Sequence, residues 1–271
     1  MDITSIQRGA PGAHAPAPVI PVDRSSENRE VIQAVKALNG AEMFGPENEL
    51  RFQQDPQTRR LVVRVVGWLL ARQQQAGRFG EGCTDDRHAR GLCHHFLSGF
   101  FSPASPEEPV APLAFPFGTT LRDEAEARFA ASCFALRAVL RARQERRPGV
   151  LDHVTGLLSM GQVWGGWGGP WSQDAVLFAL GGVAHAPLDY RERVERLAGG
   201  IARRQRPDGH WNGADQILAL DVMLSIPAEM AQAAVRAALP GLCSQAREGT
   251  LFADPATEDR SLIALRALAL G

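Results

Sequence analysis

The segment Gln205-Arg-Pro-Asp-Gly209-His-Trp211 consists of a glutamine, three residues, a glycine, one residue and an aromatic residue. The same pattern occurs at Gln73-Gln-Gln-Ala-Gly77-Arg-Phe79. Gln162-Val-Trp-Gly-Gly166-Trp167 is a compressed copy, and Gln245-Ala-Arg-Glu-Gly249-Thr-Leu-Phe252 is a stretched one. The four glutamines are spaced 89, 43 and 40 residues apart, so the first interval holds about two periods. A period of this length is typical of a repeated pair of helices.

On both sides of each copy, the apolar residues follow a pattern that is typical of helices. An amphipathic segment precedes it, and a more uniformly apolar segment follows, opened by acidic residues that suit a helix N-terminus. We therefore predict an inner ring of uniformly apolar helices that is surrounded by an outer ring of amphipathic helices. The predicted outer helices are Gln57–Gln74, Val150–Met160, Arg191–Arg204 and Ala228–Ser244, and the predicted inner helices are Glu30–Leu38, Asp86–Phe101, Leu121–Arg143, Ser172–Val183, Ala214–Leu224 and Glu258–Leu270.

One outer helix is missing from this alternation. In its place, Ser102–Thr120 contains five prolines, a density that excludes a helix. This insert either covers the bare inner helices or acts as a lid over a cavity. Residues 1–28 hold four prolines and no apolar run after a basic one, which predicts a flexible tail and not a signal peptide. The sequence thus predicts one all-α domain over residues 29–271, with about six inner helices that can close an α/α toroid.

The composition narrows the function classes. Hydrophobic residues make up 45% of the chain, which is enough for a sizeable core. Lys and Arg (29) nearly balance Asp and Glu (30), which argues against nucleic acid or an anionic membrane as the main partner. The most apolar stretch, Leu61–Ala71, is shorter than the roughly 20 residues that cross a bilayer. Four widely spaced cysteines predict reduced thiols and a cytoplasmic location.

The glutamine–glycine–aromatic pattern followed by an inner helix resembles the repeat of the terpene cyclase and protein prenyltransferase superfamily. The resemblance covers roughly residues 30–270 and implies an α/α toroid. In that superfamily the glutamine and the aromatic residue tie neighbouring hairpins together, so the resemblance implies structural roles for Gln205, Gly209 and Trp211. It also implies that chemistry takes place at the end of the ring where the inner helices begin.

One such inner-helix start, Cys83-Thr-Asp85-Asp86-Arg-His88, carries several reactive groups. Cys83–Asp86 resembles the Asp-x-Asp-Asp motif of class II terpene cyclases, with cysteine at the first position. The resemblance implies that Asp85 is the acid that protonates an alkene or an epoxide. Two close carboxylates do not both ionise easily, and burial raises their pKa further, so one can keep its proton at neutral pH. The predicted catalytic residues are Asp85, Asp86, His88 and Cys83.

The same residue types also suit a metal. Thiolate, carboxylate and imidazole from Cys83, Asp85 and His88 form an alternative zinc site with an open fourth position. This set resembles the zinc ligands of protein prenyltransferase β subunits, and Cys93-His94 resembles a ligand pair of the zinc-dependent lanthionine-forming cyclases. A plainer interpretation is that Asp85 and Asp86 only cap a helix.

Further residues complete the candidate site. Because aromatic faces stabilise positive charge, tryptophans in a glycine-rich loop can line a pocket, although repeat stacking is the plainer interpretation. Two adjacent histidines point about 100° apart on a helix, so they cannot face a cavity equally. The predicted substrate-binding residues are His94, His95, Phe96, Phe100, Trp164 and Trp167. Cys133 is predicted to be a small core residue, and His185 and His210 are given no role.

These features favour a cyclase or isomerase that acts on a small apolar molecule, isoprenoid-like or polyketide-like, by acid-initiated chemistry without a cofactor. One alternative is a zinc-dependent transferase or cyclase. The other is a non-catalytic ring that binds a lipid-like ligand or serves as a partner subunit. Besides the substrate, the expected partners are a second copy of the chain or an α-helical partner subunit.

Overall fold

The computed structural model describes residues 56–71, 111–115, 118–165, 171–251 and 258–270, and these segments are mostly helical. Two short strands, β1 (Leu113–Ala114) and β2 (Thr120–Leu121), pair in an antiparallel hairpin. The helices are α1 (Pro56–Ala71), α2 (Glu124–Arg141), α3 (Val150–Ser159), α4 (Gly161–Trp164), α5 (Gln173–Val183), α6 (Leu188–Ala202), α7 (Gln216–Leu224), α8 (Glu229–Arg247) and α9 (Glu258–Leu268). The predicted helices in these ranges are confirmed, with shifted ends. The helices predicted at Glu30–Leu38 and Asp86–Phe101, and the predicted tail 1–28, lie outside the described residues.

Four helices form a continuous inner layer, in which α2 packs on α5, α5 on α7, and α7 on α9. Helix α5 is buried from Ala175 to Val183, and α7 is buried from Ile217 to Met223. Both helices are apolar on nearly every side, so neither has a polar face that must be exposed to solvent. Most of α2 is buried in the same way. Burial along most of the helix is thus observed for α2, α5 and α7, whereas α9 leaves Leu265 exposed.

Amphipathic helices cover the inner layer. Helix α6 contacts α5 and α8, while α8 contacts α7 and α9. Helix α6 buries Val194, Ala198 and Ile201, which recur every three or four residues, and turns its arginines outward. The alternation of inner and outer helices thus holds from α5 to α9. Closure of the inner layer into a toroid remains a prediction.

The loop between α6 and α7 carries the best copy of the repeat. The side-chain amide of Gln205 donates to the carbonyl oxygens of Gly209 and of Ala234 in α8, both at 2.8 Å. The indole N–H of Trp211, whose side chain is buried, donates to the carbonyl oxygen of Ile201 in α6 at 3.1 Å. These bonds tie α6, the loop and α8 together, in agreement with a structural role for Gln205 and Trp211.

Gly209 is required both by its backbone conformation and by the space around it. Its φ of +83° lies in the left-handed region, which favours glycine. A Cβ atom at this position would lie 2.3 Å from the carbonyl oxygen of Ala237 in α8. Gly249, the glycine of the last copy, has a similar φ of +71° but no heavy atom within 4 Å of its own Cβ position. The two glycines therefore share a conformation and differ in packing.

The Pro-rich insert packs against the inner layer. Phe115, which follows β1, is buried, with its ring centroid 4.2 Å from that of Phe178 in α5 and 5.3 Å from that of Phe134 in α2. The N–H of Ala111 donates to a carboxylate oxygen of Glu124 at 2.7 Å. Residues 111–115 and 118–120 contain no helix, as the prolines predict. This packing agrees with the covering role, and a lid function stays a prediction.

We expect Gly209→Ala to lower the free energy of unfolding by about 3 kcal/mol or more, because it combines a left-handed conformation with a clash against the α8 backbone. Gly249→Ala is the matched control and should cost about 1–2 kcal/mol, since only the conformation is unfavourable. Urea unfolding of the two variants measures the difference. Equal losses would show that the loop does not pack on α8 as described.

Candidate functional site

Most of the residues predicted to act on a substrate lie outside the described part of the chain. The catalytic candidates Asp85, Asp86, His88 and Cys83 belong to this group, and so do the substrate-binding candidates His94, His95, Phe96, Phe100 and Trp167. Their roles stay predictions. The structure does describe four other inner helices, α2, α5, α7 and α9. Charged side chains lie at both ends of the layer that these helices form.

Trp164 is the predicted substrate-binding residue that the structure describes. It ends the short helix α4, and its indole N–H donates to the carbonyl oxygen of Leu157 in α3 at 2.9 Å. Its side chain is half-buried and packs against the hydrophobic core. The nearby Trp171 is buried, with its ring centroid 5.1 Å from that of Phe129. Both contacts are structural, and contact of Trp164 with a substrate stays a prediction.

The beginnings of α2 and α5 are joined through a carboxylate. Ser172 is the N-cap of α5, and its hydroxyl accepts a hydrogen bond from the N–H of Ala175. Glu126, in the first turn of α2, accepts hydrogen bonds from the N–H of Ser172 at 2.7 Å and from its hydroxyl at 2.9 Å. A carboxylate near two helix N-termini is stabilised by both helix dipoles. The bond therefore aligns the first turns of two neighbouring inner helices.

The same arrangement recurs one helix further along. Asp174, in the first turn of α5, accepts a hydrogen bond at 2.7 Å from the N–H of Asp215. Asp215 is the N-cap of α7, and its carboxylate accepts from the N–H groups of Ile217 and Leu218. Arg260 in α9 donates to the other oxygen of Asp215 at 3.0 Å. Each described inner helix is thus linked at its beginning to the next one.

The carboxyl group of Asp174 holds its proton more tightly than an ordinary aspartate. Burial raises its pKa from 3.8 to about 6, and the negative charges of Asp215 and Glu126 act in the same direction. The hydrogen bond from the Asp215 N–H stabilises the ionised form and opposes the shift. A carboxyl with a pKa near 6 is partly protonated close to neutral pH and can donate a proton.

A buried ion pair lies nearer the other end of the inner layer. Arg137 of α2 donates to the Asp221 carboxylate of α7 and, at 2.8 Å, to the hydroxyl of Ser225. Both charged side chains are almost fully buried. Desolvation by itself would raise the pKa of Asp221, but the charge of Arg137 and its hydrogen bond, with Arg141 and Arg266, hold it below its usual value. The pair therefore remains charged and joins α2 to α7.

Two glycines of α5, Gly181 and Gly182, leave space beside this ion pair. A Cβ on Gly181 would lie 3.2 Å from a methyl of Val222 and 3.9 Å from a terminal nitrogen of Arg137. A Cβ on Gly182 would lie 3.1 Å from the carbonyl oxygen of Cys133 in α2. The absence of side chains at these two positions lets α2 approach α5 closely and leaves room for the guanidinium. Cys133 itself is fully buried, as predicted for a core residue.

The last turn of α2 ends in an unusual conformation. The N–H of Gln144 bonds to the carbonyl of Val139, and that of Arg143 bonds to the carbonyl of Leu140, which is the Schellman arrangement. The residue at the position of Arg143 is usually glycine, because the backbone there is left-handed, and Arg143 has a φ of +56°. Keeping a side chain at this position costs about 1–2 kcal/mol.

The functional candidates predicted from the sequence do not include Arg137, Asp221 or His185. Arg137 and Asp221 are single charges inside apolar helical segments, and opposite charges in that situation have to pair when both are buried. That pattern was visible in the sequence. His185, which was given no role, follows α5 and lies beside the arginine-rich end of α2. Nothing in the sequence near His185 indicates this, since its neighbours come from three different helices.

Comparison of the chain with known protein families, curated proteins and solved structures gives no match. None of the described helices is long and apolar enough to cross a membrane. Within the described ranges, no three His, Cys, Asp or Glu side chains are grouped so that they could hold a metal ion. The zinc alternative rests on Cys83, Asp85 and His88, which lie outside those ranges, and it stays a prediction.

We expect Asp174→Asn to stabilise the protein increasingly as the pH rises from 4 to 7. The folded pKa of Asp174 (about 6) lies above its unfolded value, so ionisation favours the unfolded state and the cost appears as the pH passes through this window. Asparagine keeps the acceptor oxygen and removes the charge. The gain at pH 7 should be about 1 kcal/mol, a value reduced for partial solvent exposure.

Urea unfolding at several pH values measures this effect. Asp189→Asn, at an exposed position of α6, is the control and should give a flat profile. A constant difference between wild type and Asp174→Asn from pH 4 to pH 7 would contradict the raised pKa.

We expect Asp221→Asn to lower the free energy of unfolding by about 3–5 kcal/mol, because the buried charge of Arg137 loses its counter-charge. Glu195→Gln removes one partner of the exposed pair Arg191–Glu195 and should change it by less than about 1 kcal/mol. Thermal or urea unfolding compares the two. Similar small effects in both variants would mean that Arg137 reaches solvent.

Proposed function

We propose that the protein is an enzyme of the cyclase or isomerase type, which protonates a small apolar molecule at the end of the inner layer where the helices begin. The observation that carries this proposal is the carboxyl group of Asp174, whose pKa is raised to about 6 at that end. The sequence pattern puts Asp85 and Asp86 at the beginning of another inner helix, by analogy with Asp174 and Asp215.

The physical basis is that the inner layer combines two requirements of acid-initiated chemistry. Its helices bury apolar side chains on nearly every side. An apolar substrate that lies among such side chains is stabilised, because its transfer out of water is favourable. At the helix beginnings, burial and neighbouring carboxylates raise the pKa of the Asp174 carboxyl to about 6, so this group is partly protonated close to neutral pH. In this proposal the inner helices close into an α/α toroid, and the substrate lies inside it.

The reaction step follows from these groups. The Asp85 carboxyl transfers its proton to one carbon of an alkene, the π electrons form the new C–H bond, and a carbocation and a carboxylate remain. Asp86 and His88 set the protonation of Asp85, and the faces of aromatic residues stabilise the cation. Attack by a second double bond closes a ring, and loss of a proton returns the acid to its starting state. A substrate of isoprenoid or polyketide type supplies such double bonds.

The test is turnover in D₂O with linear polyprenes and polyenes as probe substrates, followed by mass spectrometry of the products. Acid-initiated cyclisation should incorporate one solvent deuterium per molecule of product, because one protonation starts the reaction. Asp85→Asn should lower the rate at least about 100-fold, as expected on loss of a general acid. Asp189→Asn, an exposed carboxylate of α6, is the control and should keep the wild-type rate.

Full turnover by Asp85→Asn, or products without deuterium, would overturn the proposal. Zinc at one ion per chain that disappears in Cys83→Ser would instead favour the zinc-dependent alternative. A lipid-like molecule that co-purifies and is returned unchanged after incubation would favour the non-catalytic one.

A further inference from the structure

A pocket lies at the opposite end of the inner layer, where α2, α5 and α7 end. Its volume is about 330 Å³, which is at the small end of the range of ligand sites. Three chain segments contribute to it, one after each helix. The lining residues are Leu140, Arg141, Arg143, Ala184, His185, Ala186, Leu224, Ser225 and Pro227.

The charged groups around this pocket are mainly arginines. His185 lies within the influence of four positive charges: Arg137, Arg141 and Arg143 at the C-terminal end of α2, and Arg266 from α9. The carboxylate that faces this set from α7 belongs to Asp221, which is already bound to Arg137. After burial, these arginines are the cause that lowers the pKa of His185, so its ring is neutral. The described side chains around the pocket thus carry more positive than negative charge.

Complementing the helix dipole accounts for only part of this arrangement. Positive side chains near a helix C-terminus are favourable, which suffices for Arg141 in α2 and Arg266 in α9. It does not account for Arg143, which occupies the left-handed position after α2, where glycine is the unstrained residue. A side chain held in an unfavourable conformation at the wall of a pocket is typical of a functional site.

His185 supplies an independent observation. Its ring lines the pocket, yet its Nε2 atom is shielded from solvent and has no hydrogen-bond partner. A buried polar atom without a partner is uncommon in folded proteins and calls for an explanation. Burial, and after it the surrounding positive charge, keeps the ring from taking up a second proton. A negative charge in the pocket would offset the second of these causes.

We propose that this pocket binds a small organic phosphate. Guanidinium groups match the oxygens of a phosphate with paired hydrogen bonds, and several of them together favour a doubly charged anion over a singly charged one. The apolar walls formed by Leu140, Leu224 and Pro227 leave room for a short carbon chain. The site is distinct from the carboxyl groups at the helix beginnings, and it does not depend on the function proposed for them.

The test is calorimetric titration of the full-length protein with propyl phosphate, inorganic phosphate and butyrate at constant ionic strength. We expect saturable binding of propyl phosphate with one molecule per chain, weaker binding of inorganic phosphate, and at least tenfold weaker binding of butyrate. In NMR spectra, saturation with propyl phosphate should raise the pKa of His185. Absence of saturable phosphate binding, or equal affinity for butyrate, would overturn the proposal.

Variants separate binding from folding. Arg143→Gly should weaken propyl phosphate binding at least tenfold, while its urea midpoint is equal to or above that of the wild type because the left-handed strain is relieved. Arg143→Lys keeps the charge but loses the paired hydrogen bonds, so its affinity should lie between those of the wild type and Arg143→Gly. Arg236→Gln, at an exposed position of α8, is the matched control and should bind normally. Unchanged affinity in Arg143→Gly, or an equal loss in Arg236→Gln, would show that phosphate binds elsewhere.

Discussion

The inner helices α5 and α7 are buried on every side, and this constraint determines where the protein can place charge. A polar group in the middle of such a layer loses its hydration and needs a partner within the layer. Arg137 and Asp221 meet this requirement by pairing with each other, and Gly181 leaves the space they need. The other polar groups of the layer lie mainly at the helix ends, where unpaired backbone N–H and C=O groups also need partners. The layer is therefore apolar along its length and charged at its ends.

The two ends of this layer differ in sign and in chemistry. Glu126, Asp174 and Asp215 link the helix beginnings by hydrogen bonds, so negative charge accumulates where the helix dipoles are positive. Arginines gather where the helices end, around His185. Eleven residues of α5 separate the ends, a distance of about 16 Å. The proposed proton donor and the proposed anion site therefore lie far enough apart that they would not neutralise each other.

The sequence predicts the helices well because their signals are local. Periodicity places α5, α6, α7 and α8 to within a few residues, and the repeat predicts the roles of Gln205 and Trp211. The properties of the charged groups at the helix ends could not be predicted in this way, because they arise from contacts between segments that are distant in the sequence. The pKa of Asp174 depends on Asp215 and Glu126, which are 41 and 48 positions away in the sequence. The β-hairpin beside the inner layer also escaped prediction, since two-residue strands leave no periodicity to detect.

The central claim is that the beginnings of the inner helices raise the pKa of a carboxyl group to about 6, so that it is partly protonated close to neutral pH. The most direct measurement is an NMR titration of the Asp174 side-chain carboxyl carbon in the folded protein, assigned by comparison with Asp174→Asn. The account predicts a midpoint near pH 6. A midpoint near 3.8 would show that the carboxyl is hydrated like any surface aspartate, and it would contradict the account.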